Sequence, residues 1–127
     1  MSVVLDASAV LAAMLREPGA DVVTAHLADD VVISAVNAAE VVAKLIDKGA
    51  DPDAAVLAFS TLMVPVRAFG VAQGLEAGRL RGATRSAGLS LGDRACLAEA
   101  SVSQERVVTA DRAWGDLDIG IEIEVIR

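Results

Sequence analysis

An α/β fold, a short parallel sheet with helices on both faces, is what this chain predicts, and three observations predict it. Short runs rich in β-branched residues alternate with stretches of helical length and composition. Most of these runs are continuously apolar, as strands buried on both faces are, where a half-exposed sheet would alternate polar and apolar residues. The 127 residues suit one domain, 1–127, long enough to bury a substantial core.

The elements follow in order. Val3–Leu5 reads as the first strand, and 31–34, 64–66, 107–109 and 122–126 as the others. A helix around Ser8–Arg16 is punctuated by Pro18 and Gly19. A longer one over 36–48 stops at Gly49, a residue suited to the position just past a helix end. Asp51 and Pro52 restart the chain as a cap and a first-turn proline. A helix through Glu76–Ala87 ends at Gly88, with residues 70–75 read as loop, and a last helix opens at Asp93.

Composition narrows the class. The chain is 54% hydrophobic but only 2% aromatic, so its core is aliphatic. A mean hydropathy of +0.53 would suit a membrane protein. Charges, however, interrupt every apolar stretch well short of the ~18 residues a spanning helix requires. Asp6 breaks the first apolar run and no basic segment precedes it, so no signal peptide is expected. The single cysteine, Cys96, excludes an internal disulfide framework and fits a reducing cytoplasm. Between Ala95 and Leu97 it reads as a small packed hydrophobe.

Four acids carry the functional signal: Asp6, Glu40, Asp93 and Asp111. Asp6 directly follows the first strand, and Asp111 follows strand 107–109 after one residue. Glu40 stands about one and a half turns into the helix after strand 31–34, and Asp93 sits at the start of the last helix. In a parallel α/β fold ligands bind beyond the carboxyl ends of the strands, so one rim would gather all four, with Ser8, Asn37 and Thr109 beside them. Carboxylates are the ligands of hard cations such as Mg²⁺ and Mn²⁺. Hydrolysis of a phosphodiester needs activated water and neutralised phosphate charge, which such ions supply.

Each acid also has a simpler reading. Asp6 or Ser8 would cap the first helix, and Asp111 the segment after it. Glu40 and Lys44 have the spacing of a helical surface pair, and Ser90 with Asp93 that of a capping box. Against the simpler readings jointly stands their shared edge, with two of the acids in apolar surroundings where an unpaired carboxylate is expensive. His26, the one histidine, lies far along the chain from every acidic motif and reads as a bystander.

The motifs V-L-D-A-S, S-A-V-N-A-A-E-V, G-L-S-L-G-D-R-A-C-L-A and V-V-T-A-D-R-A-W, taken with their spacing, resemble the PIN-domain ribonucleases, specifically the VapC-type toxins of bacterial toxin–antitoxin pairs. The resemblance runs almost end to end. It implies a PIN-like three-layer sandwich. It also implies an Mg²⁺- or Mn²⁺-dependent endoribonuclease, homodimeric, inhibited by a cognate antitoxin. In its terms Asp6, Glu40, Asp93 and Asp111 form the catalytic, metal-binding quartet, with Ser8 as a supporting hydroxyl. Asp116 is a possible fifth acid, though it also suits a polar loop.

Some features fit this expectation less directly. A formal charge of −7 does not suit a protein that holds RNA by electrostatics alone. Arg79, Arg81 and Arg85 make the densest basic cluster, and Arg94 and Arg112 each directly follow a metal-ligand position, where they could contact substrate phosphates or pair with nearby acids. With no tyrosine and one tryptophan, Trp114, an extended base-stacking platform is not expected. Gly74, Gly78 and Gly82 recur every four residues, which on a helix would allow close approach of a second copy or an antitoxin. Two other functions stay open. A phosphatase of the haloacid-dehalogenase kind would want an acid at position 8, where this chain has Ser8. A catalytically silent PIN-fold module binding RNA or protein would not need the quartet.

Overall fold

The computed structural model describes residues 2–127. Five parallel strands are ordered β3-β2-β1-β4-β5: β1 Val3–Leu5, β2 Val31–Ser34, β3 Val66–Arg67, β4 Arg106–Thr109 and β5 Ile123–Val125. Among the described residues seven helices connect them: α1 Ala7–Leu15, α2 Ala20–Leu27, α3 Ala35–Asp47, α4 Pro52–Ser60, α5 Val71–Arg79, α6 Arg81–Thr84 and α7 Leu91–Ser103. A 3₁₀ segment, Arg112–Asp116, lies between β4 and β5.

The side-chain alternation of the strands builds two cores. Val3 and Leu5 of β1, Val31 and Ile33 of β2 and Val108 of β4 face one side, against Ala9 and Val10 of α1 and Val41 and Leu45 of α3. Val4, Val32 and Val107 face the other, against Cys96, Leu97 and Ala100 of α7, Ala77 of α5 and Trp114. The result is the three-layer sandwich expected, with both sheet faces covered. Each aliphatic side chain so buried contributes roughly 1.5–3 kcal/mol, and β-branched residues suit strands packed on both faces. Cys96 is buried as expected, and burial pushes its thiol well above its ordinary pKa.

Local chemistry explains most boundaries. Ser34 caps α3 by accepting from the Val36 N–H at 3.2 Å. Gly49 follows its end at φ +105°, a conformation costly for any residue with a Cβ. Asp51 caps α4 by accepting from the Ala54 N–H at 3.3 Å.

Two expectations need correction. The strand expected at 64–66 pairs at Val66–Arg67, because Pro65 has no N–H to donate and contributes only its carbonyl, which accepts from Ile33 at 3.0 Å. The helix expected through Glu76–Ala87 starts earlier and breaks sooner. Gln73 Oε1 accepts the Gly70 N–H at 3.1 Å and starts α5 at Val71, so Gly74 is helical and not in a loop. Buried Ala77 and Leu80 hold this stretch against the core, and the chain re-forms as the one-turn α6 after Leu80.

Candidate functional site

The carboxyl edges of β1, β2 and β4, with the first turn of α7, build the acidic rim. Asp6 follows β1 and is only 3% exposed. Ser8 Oγ and Thr109 Oγ1 both donate to its Oδ2, at 2.6 and 2.9 Å. Among the described residues no protein group donates to its Oδ1. Burial raises the Asp6 pKa to about 6; the two hydroxyls act in the opposite sense, and Asp93 and Glu40 add like-charge repulsion. Asp93 and Glu40 thus each lie within electrostatic reach of Asp6.

The remaining members are tied to the same edge. Thr109 Oγ1 accepts the Asp111 N–H at 3.1 Å while donating to Asp6, and Ser8 Oγ accepts the Ala110 N–H at 2.9 Å. The two hydroxyls therefore connect the end of β1 to the end of β4. Asp111 is exposed and its Oδ1 caps the 3₁₀ segment through the Ala113 N–H at 3.0 Å. Asp93 stands third in α7, not at its opening, because Ser90 is the cap. Asp93 Oδ2 accepts the Ser90 N–H at 2.9 Å, and Ser90 Oγ accepts the Asp93 N–H at 3.2 Å. The capping reading of Asp93 and Asp111 is thus true of their hydrogen bonds, and both still lie on the rim.

Glu40 does not pair with Lys44, the simpler reading of their spacing. Its Oε1 accepts from Asn37 Nδ2 at 2.7 Å, and the same Nδ2 reaches the Gly92 carbonyl at 2.9 Å. Asn37 is fully buried, and its Oδ1 has no partner. The sequence gives little sign of the part Gly92 plays. Its only signal there is a glycine in the first turn of a helix, a position where it weakens the helix.

None of the four acids is in an ion pair among the described residues. Among those residues, too, no three acidic, histidine or cysteine side chains stand close enough together to ligate one ion without moving. Their carboxylates are occupied by hydroxyls, an amide and backbone N–H groups. The donor set nevertheless fits a hard divalent cation: carboxylate oxygens with a hydroxyl and an amide oxygen nearby, and no counter-charge. A buried carboxylate with a raised pKa is stabilised as its ion by a cation.

The other expected residues are placed as follows. Arg94 Nη1 donates to the Ala77 carbonyl of α5 at 2.8 Å, and its buried Nε has no partner. Arg112 is exposed beside Asp111, its Nε donating to the Arg127 carbonyl at 3.0 Å. Asp116 is exposed and lines a groove of about 410 Å³ with Ala87, Ala113 and Leu117. His26 Nε2 contacts Glu124 Oε1 at 2.8 Å, not a rim acid. A cavity of about 680 Å³, lined by Ser2, Gln104, Arg106 and Glu122, lies at the amino ends of the strands, away from the acids. No helix among the described residues is long and apolar enough to cross a membrane.

The sequence profile of the PIN domain matches residues 3–120. No curated protein matches the sequence. Solved structures similar in fold include VapBC2 from Rickettsia felis, bound to a DNA fragment from its promoter. It is 14% identical, with a TM-score of 0.77 and 98% of each chain covered. DNA-bound VapBC from Salmonella typhimurium is 16% identical, with a TM-score of 0.76 over 100% of this chain and 99% of that one. VapBC-1 from nontypeable Haemophilus influenzae is 16% identical, with a TM-score of 0.75 and 98% of each chain covered. With its profile matched over most of its length, the chain belongs to the PIN domain family.

Proposed function

We propose that this PIN domain protein is a metal-dependent endoribonuclease, the toxin of a toxin–antitoxin pair, acting as one nuclease domain in the cytoplasm. The observation that carries the reading is Asp6: a buried carboxylate, raised in pKa, with hydroxyl donors but no cation, facing two further acids. A purely structural role gives no reason to leave that charge uncompensated.

Asp6, Glu40, Asp93 and Asp111 would hold Mg²⁺ or Mn²⁺. When bound, such an ion supplies charge neutralisation at the phosphate and an activated water. The chain's own residues then have positioning tasks. Ser8 and Thr109 orient Asp6 through Oδ2 and leave Oδ1 free of protein donors. The reciprocal bonds of Ser90 and Asp93 fix the first turn of α7 beside it. Arg112, exposed next to Asp111, and Arg94 would supply positive charge for substrate phosphates, and the exposed Asp116 would be a further supporting acid. The similar fold of proteins solved as VapBC complexes supports a cognate antitoxin as partner, and a homodimer accords with the same reading.

The test is cleavage of total cellular RNA by the purified, antitoxin-free protein with Mg²⁺ or Mn²⁺, with chelator, and beside Asp93→Asn. Discrete products that require the ion and vanish in the variant are expected. Intact RNA under all conditions, with the ion bound, would favour the silent binding module.

A further inference from the structure

One contact of the rim joins two helices that meet only through the tertiary fold. Asn37 Nδ2 donates both to Glu40 Oε1, at 2.7 Å, and to the Gly92 carbonyl, at 2.9 Å, the peptide immediately before Asp93. Asn37 is completely buried, so this is no surface accident. Two acceptors on one amide nitrogen also settle which end of the side chain is which. Its Oδ1 is then left buried with nothing to accept from, an unusual state outside functional sites.

Gly92 contributes by what it lacks. A Cβ there would stand 2.9 Å from Glu40 Oε1 and closer still to the rest of that carboxyl group. The Glu40 carboxylate therefore occupies the volume that a side chain at position 92 would fill. Glycine is disfavoured in a helical turn, and no positive φ calls for it here. The space it opens is the account of its presence.

We infer that Asn37 and Gly92 together position Glu40. Asn37 ties the carboxylate to the first turn of α7, Gly92 makes room for it there, and the pair holds Glu40 on the acidic rim as one of the ligands a divalent cation would use. This rests on the reading of the rim as a cation site. Asn37 is a positioning residue in it, acting through Glu40.

The test is Mn²⁺ affinity by isothermal titration calorimetry, for wild type, Asn37→Ala, Gly92→Ala and Glu40→Gln, and for each of the first two combined with Glu40→Gln. Thermal melting of each metal-free protein runs alongside. Partners that orient a metal ligand typically contribute 10–100-fold in affinity, so Asn37→Ala and Gly92→Ala are each expected to weaken Mn²⁺ by about that factor. Gly92→Ala should melt close to wild type, because the gain in helix propensity offsets the displaced Asn37–Glu40 hydrogen bond; it carries the test if Asn37→Ala folds poorly. In the Glu40→Gln background neither substitution should weaken binding further, a coupling that a general structural defect would not produce. Wild-type affinity in Gly92→Ala, or losses that simply add to that of Glu40→Gln, would overturn the inference and leave the cation site standing. No uptake of Mn²⁺ by the wild type would overturn both.

Discussion

Asp6 and Glu99 are almost equally withdrawn from solvent, at 3% and 1% exposed, and the fold treats them in opposite ways. Glu99, further along α7 than the rim, has a cation. Its Oε2 accepts from Arg67 Nη1 at 3.3 Å and from Ser103 Oγ at 2.8 Å. Arg67 also pairs through both terminal nitrogens with Glu105, whose hydrogen bond holds the guanidinium charged more firmly. This network ties the two-residue edge strand β3 to both ends of the α7–β4 connection. Asp6 has two hydroxyls and two neighbouring acids, and burial raises its pKa to about 6. The difference separates a buried acid whose cation is built into the fold from one that has hydroxyl donors only. On the proposed function the second is the charge kept for a ligand.

Substitutions can break this contrast, and the largest effect should fall on activity. Asp93→Asn and Asp6→Asn are each expected to lower RNA cleavage by more than about 100-fold, beyond what is lost when only a ligand's orienting partner is removed. Arg67→Ala should leave cleavage per folded molecule near wild type. Comparable losses in both sets would erase the distinction.

Stability should show the reverse. Arg67→Ala removes the cation from Glu99 and Glu105 and should destabilise the protein by about 3 kcal/mol in urea unfolding, the low end for a broken buried pair because Arg67 is partly exposed. Asp6→Asn in metal-free protein should stabilise at neutral pH, by up to about 3 kcal/mol. The sign follows from the raised pKa. Between its unfolded value of 3.8 and about 6 the folded protein binds the extra proton, so metal-free stability falls as pH rises through that window and stays low above it. Asp6→Asn should flatten that slope, which denaturation curves at pH 4 and pH 7 would show. Retention of the full slope would mean that Asp6 is not its source.

The smallest expected effect sharpens the account of Asp6 itself. Thr109→Val removes one hydroxyl donor while keeping the shape of the side chain. It should move the midpoint of the metal-free pH dependence upward, at a cost of about 1–2 kcal/mol above that midpoint. An unchanged midpoint would show that the Thr109 hydrogen bond is not what holds Asp6 toward its ionised form.

Much of the rim was legible in the chain. Asp6 and Asp111 announce themselves because each directly follows, or nearly follows, an apolar strand, and a parallel fold places such residues on one edge. Ser8 and Thr109 are readable by the same proximity. What the sequence hides is contact across the fold. Nothing local says that Glu40 turns to Asn37 and Gly92 instead of Lys44, because that choice depends on α3 and α7 meeting. The network of Arg67, Glu99 and Glu105 is invisible for the same reason. The misplaced helix start at Val71 has another cause. Glycines at 70 and 74 argue for loop by propensity, and burial of Ala77 and Leu80 outweighs them. Pro65 did carry the information needed to shift β3, since a residue without an N–H cannot donate to the ladder.

The most direct test of the central claim, that the rim's charge is kept for a cation, is the change in melting temperature on adding millimolar Mn²⁺ at pH 7.5. Wild type, Asp6→Asn and Arg67→Ala would be compared. An ion that binds only the folded protein raises its stability. The account predicts a clear rise in wild type and Arg67→Ala, and little or none in Asp6→Asn. No rise in wild type, or an equal rise in Asp6→Asn, would contradict it.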